Sequence, residues 1–81
     1  MIQYDFNKLR GRIKEICKTQ ENFAQKLNIS SNTLSDKLNN QRYFTSEEIS
    51  NAIDILEIND PTTAWNIFFT KQVENISTKV E

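Results

Sequence analysis

A chain that carries one glycine, Gly11, and one proline, Pro61, among 81 residues has few of the residues that tight β-turns demand. That scarcity favours helices. It also removes glycine-rich phosphate loops from consideration. The spacing of apolar residues agrees. Phe6, Leu9, Ile13, Ile16 and Cys17 fall on one stripe of a helix over residues 5–18, started by Asp5 or Asn7. Thr19 reads as the N-cap of a short helix with Phe23, Ala24 and Leu27 inside, and Asn28 suits its left-handed end. Ser30 or Ser31 starts a third helix that stops at Asn39-Asn40. Thr45 and Glu48 have the spacing of a capping box before the stripe Ile49, Ala52, Ile53 and Leu56. Asp60-Pro61 opens a fifth helix, with Ala64, Ile67 and Phe68 directed inward. The expected fold is all-α: a compact bundle of about five short helices. Residues 1–70 form the domain, and residues 71–81 form a C-terminal tail that is disordered or dimerising.

Composition narrows the function. With no histidine and one cysteine, zinc sites and disulfides are excluded, and no acid, base and nucleophile come together convincingly. No cofactor, metal or enzymatic activity is expected, and no small-molecule substrate. No apolar run approaches the roughly 18 residues of a membrane span, and the N-terminus has no signal-peptide core; a cytoplasmic protein without membrane partners is expected. Residues 1–43 carry eight Lys and Arg against four Asp and Glu, whereas residues 44–81 carry two against seven. A basic half joined to an acidic half gives an anionic partner a preferred side.

The stretch "SSNTLSDKLNN", residues 30–40, is built from poor helix formers between Leu34 and Leu38. Serine, threonine and asparagine compete with the backbone for hydrogen bonds, so a helix filled with them calls for a reason. Two short helices joined by a turn of three or four residues make a helix-turn-helix, here formed by the second and third helices. If Leu34 and Leu38 face inward, Ser31, Asn32, Ser35 and Asp36 face outward near the helix N-terminus. Short polar side chains there can approach base edges in a major groove about 12 Å wide.

The segment "TQENFAQKLNISSNTLSDKLNN", residues 19–40, resembles the lambda-type repressor and Cro helix-turn-helix family. With "YDFNKLRGRIKEI" before it and "LNN" plus an aromatic loop after it, the chain is most similar to small Cro-like regulators of Gram-positive phages and prophages. The resemblance implies a sequence-specific repressor that binds a palindromic double-stranded DNA operator as a homodimer, helix 3 in the major groove. It implies base contacts by Ser31, Asn32, Ser35 and Asp36, and phosphate contacts by Gln20, Lys37, Asn39, Gln41, Arg42 and Tyr43. Asn28 and Asn40 stand where the family often has glycine, and Lys37 stands where it often has an apolar residue. The alternative is a protein-binding helical adaptor, such as an antirepressor or antitoxin, that uses the acidic half and the aromatic residues.

Overall fold

Four of the five helices begin at a side chain that the sequence itself marks. Thr19 Oγ1 accepts from the Asn22 N–H at 3.1 Å, and Ser30 Oγ accepts from Thr33 at 3.0 Å. Thr45 Oγ1 accepts from the Glu48 N–H at 3.1 Å while Glu48 Oε1 accepts from the Thr45 N–H at 2.9 Å. Asp60 Oδ2 accepts from Thr63 at 2.9 Å, and Pro61 supplies the first helical residue. Each bond satisfies a helix N–H that has no intrahelical partner.

The resulting elements are α1 (Asn7–Cys17), α2 (Gln20–Leu27), α3 (Ser31–Leu38), α4 (Ser46–Ile55) and α5 (Pro61–Phe69). The structure, a computed structural model, describes residues 3–71, so the expected tail lies outside the described residues except for Lys71. The all-α class is as the sequence indicates. Among the described residues the only extended pairing is one antiparallel bridge, Tyr4 to Lys71, with the Asp5 N–H donating to Thr70 O at 2.6 Å. It ties the chain entering α1 to the chain leaving α5.

α1 starts later than its apolar stripe suggests. Phe6 occupies the N-cap position and no side chain caps the helix. The Phe6 ring is buried and packs edge-on against Phe44 at 5.5 Å. Burial of a ring there outweighs a polar cap worth about 1 kcal/mol. Asp5 instead accepts from the Asn7 N–H at 2.9 Å.

α1 packs on α2 and α5, and α2 packs on α3 and α4. The core between them holds Leu9, Ile13, Phe23, Leu34 and Leu56, all fully buried. Cys17 is buried among them, as a small core residue. Two arginines of α1 reach across to helix C-termini. Arg10 donates to Leu38 O at 3.1 Å and to Asn39 Oδ1 at 3.0 Å, at the end of α3. Arg12 donates to Leu56 O at 2.9 Å and Glu57 O at 3.0 Å, at the end of α4. Cations there meet orphan carbonyls and the negative end of each helix dipole.

Candidate functional site

The turn between α2 and α3 runs through Asn28, left-handed at φ 63°, and its N–H donates to Gln25 O at 3.1 Å. With Leu34 and Leu38 buried, α3 shows its polar side outward. Ser31 and Asn32 are exposed, and Ser35 and Asp36 are half-buried. Gln20 is exposed at the start of α2, and Gln41, Arg42 and Tyr43 are exposed in the loop after α3. Asp36 and Arg42 form an exposed ion pair, Oδ2 to Nε 3.6 Å. The Asn39 amide accepts from Arg10 and donates to Ser35 Oγ at 3.4 Å, so it serves the end of its own helix.

Lys37 departs from the expectation. It is only 5% exposed and cannot meet a phosphate. Its Nζ lies 2.8 Å from Glu48 Oε1, donates to Tyr43 O at 2.9 Å and stands 5.9 Å from the centre of the Phe44 ring. The aliphatic stem fills an apolar position and the charge is neutralised by α4. Glu48 therefore does more than cap its helix: it fastens α3 and the aromatic loop to α4. Burial pushes its carboxyl up, but bonds from Lys37 and Thr45, with the Lys37 charge, hold it below the ordinary glutamate value. Spacing marks Glu48 as a cap, but nothing local marks it as the partner of a residue eleven positions earlier.

Asn40 is likewise buried. Its Oδ1 accepts from the Tyr4 N–H at 2.8 Å and its Nδ2 donates to Tyr4 O at 3.0 Å. The amide pairs with Tyr4 as a neighbouring strand would, while the backbone takes φ 64°.

A second surface carries the apolar residues that the core does not absorb. Tyr43 and Trp65 are 54% and 63% exposed, and Trp65 leans on Phe69 with ring centres 4.7 Å apart. Between α4 and α5 lies an open cleft of about 440 Å³, walled by Ile49 and Ile53 on one side and Pro61, Ala64, Trp65 and Phe69 on the other. A neighbouring hollow of about 380 Å³ holds Tyr43, Phe44 and Arg42. Ile49 and Phe69 line both, so the two form one continuous apolar surface. Spacing alone does not place Trp65, because α5 is apolar around most of its circumference.

A family model described as protein of unknown function (DUF739) matches residues 2–71. The chain belongs to that family. No curated protein matches it. Among solved structures, it is similar to the solution structure of the modulator of repression of the temperate bacteriophage TP901-1 from Lactococcus lactis. The two are 40% identical, with 83% of this chain and 89% of the other covered and a TM-score of 0.70.

That likeness supports a phage relationship and corrects the main functional expectation. The solved relative is a modulator of repression and not a Cro-like repressor. The DNA-binding repressor, with its duplex operator and operator-bound homodimer, is therefore set aside. The base and phosphate contacts assigned to Ser31, Asn32, Ser35, Asp36, Gln20, Asn39, Gln41, Arg42 and Tyr43 rested on that reading and carry no support of their own from the geometry. The physical reason for the misreading is general. Small polar residues outside and leucines inside specify how short helices pack, and one scaffold can present such a face to a base edge or to another protein.

Proposed function

We propose that this protein is a modulator of repression: a small regulator of a phage or prophage that acts in the bacterial cytoplasm by binding a protein partner, a repressor. It is a binding module and not an enzyme. The observation that carries the reading is the 40% identity to a phage modulator of repression over 83% of the chain. Two features of the molecule support it. The exposed Trp65 and Tyr43 belong to a continuous apolar surface of the kind that marks protein interfaces. The loop cation Arg42 is engaged by Asp36, and Lys37 is withdrawn from the surface, which leaves the polar face of α3 poor in charge for a phosphate backbone.

The test pairs the purified chain with the repressor encoded in the same genome. Sedimentation should show a complex larger than either protein. In a mobility-shift assay the chain should alter the repressor's retention of its operator while leaving the bare duplex unshifted at low salt. A chain that shifts the duplex by itself and forms no complex with the repressor overturns the proposal.

A further inference from the structure

Tyr4 precedes α1, so no helix holds it, yet its main chain is bound on both sides. On one side the Asn40 amide accepts from the Tyr4 N–H at 2.8 Å and donates to the Tyr4 carbonyl at 3.0 Å. On the other runs the antiparallel bridge to Lys71, where the Asp5 N–H donates to Thr70 O. The end of α3 and the exit from α5 thus fix where Tyr4 sits and the direction in which its ring leaves the chain.

That ring stands at a junction. Its centre is 6.0 Å from Phe6, 6.5 Å from Tyr43 and 6.1 Å from Phe69, the last two edge-on. Phe69 in turn carries Trp65. Among the described residues Tyr43 meets no other ring. Lys37 holds the Tyr43 carbonyl, so the main chain of the aromatic loop is fixed by Lys37 and its outer ring by Tyr4. Tyr4, Phe6 and Asn40 line both the apolar hollow and a polar one of about 390 Å³ that includes Asp5, Arg10 and Asn39. They form the wall between the two.

We propose that the Asn40–Tyr4 pairing is a clasp that presets the aromatic surface for its partner. Asn40 seats Tyr4, and the Tyr4 ring holds Tyr43 and, through Phe69, Trp65 in the arrangement that the repressor meets. Asn40 is a positioning residue: at 6% exposure it is out of the partner's reach and acts through Tyr4. Rings ordered before binding have less side-chain freedom to lose on binding. The inference rests on the modulator reading and adds to it the residues that organise the surface.

The experiment uses the full chain at a temperature where circular dichroism shows every variant folded. Trp65 is the single tryptophan, so quenching of its emission by acrylamide reports on the surface without any partner. Affinity for the repressor is measured beside it. Asn40→Gly and Tyr4→Ala should each change the quenching and raise Kd about tenfold, the cost of ordering two freed rings. Tyr4→Phe, which keeps the ring, should match wild type in both. So should Ile13→Val, a change at a buried residue that lines neither hollow. In the Tyr4→Ala background Asn40→Gly should raise Kd by less than about twofold, because both act through one ring. Should Asn40→Gly melt below the working temperature, Asn40→Asp replaces it under the same criteria, since it keeps the acceptor for the Tyr4 N–H and loses the donor to the Tyr4 carbonyl.

If wild type binds and Asn40→Gly binds as tightly, or leaves Trp65 quenching unchanged, the clasp falls and the modulator reading stands. The same follows if Ile13→Val shifts both readouts as far, if Tyr4→Phe loses as much as Tyr4→Ala, or if the losses at Asn40 and Tyr4 simply add. A wild-type chain that does not bind the repressor overturns both.

Discussion

Asn40 shows how much one side chain can be asked to do. A left-handed residue is required where α3 gives way to the aromatic loop, and glycine would meet that need at no steric cost. Asparagine tolerates it and adds two hydrogen bonds to the Tyr4 backbone. Asn40→Gly should therefore destabilise the protein by about 1–3 kcal/mol, because part-buried backbone groups lose their partners; urea unfolding measures it. Gly11 is the converse. It lies in α1 with a negative φ, and a Cβ there would meet nothing within 4 Å. It is not the site of a close approach. Gly11→Ala should stabilise by about 1 kcal/mol, seen as a higher melting temperature.

At the scale of elements, the helices are joined as much by polar side chains as by apolar faces. The Lys37–Glu48 pair links α3 to α4 at 2.8 Å, and its geometry makes the two residues a unit. Glu48→Gln should cost about 1–3 kcal/mol, since it leaves a buried ammonium without its counter-charge. Lys37→Met should cost less in the Glu48→Gln background than alone, and a double-mutant cycle by denaturant unfolding reads the coupling. The pair also sets a pH response. The folded Glu48 carboxyl titrates below its ordinary value, so its contribution is fully present above the unfolded glutamate value and is lost as pH falls through the lowered one. Asp60 behaves alike, held down by the Thr63 N–H and hydroxyl. Acid should therefore loosen the starts of α4 and α5 together, whereas Glu48→Gln should flatten part of that dependence in melts followed by circular dichroism.

The whole molecule has little stability to spare. A domain of this size holds on the order of 4–12 kcal/mol. Leu34 is fully buried and is one of two side chains that seat α3 in the core. Leu34→Ala should remove about 2–5 kcal/mol, enough to populate unfolded chain at 37 °C, and equilibrium unfolding tests it. A small core also explains the exposed aromatics. Five helices of eight to eleven residues enclose Phe6, Phe23 and Phe68, and Trp65 is left on a surface that is continuous from the aromatic loop to the start of α5.

The helices, four of their five starts and most of the core were legible in the residues themselves, whereas the start of α1 at Phe6 was not. Caps act within three residues, and apolar periodicity acts within a turn or two, so Thr19, Ser30, Thr45 and Asp60 announced four starts without knowledge of what lay opposite. Tertiary structure alone decided where charges and rings go when the faces meet. It buried Lys37 against Glu48, spent Arg10 and Arg12 on the ends of α3 and α4, paired Asn40 with Tyr4 and left Trp65 in solvent. Those outcomes depend on contacts between residues 11 to 45 positions apart. Local sequence fixes the direction in which a side chain leaves its helix; only the assembled fold determines what that side chain meets.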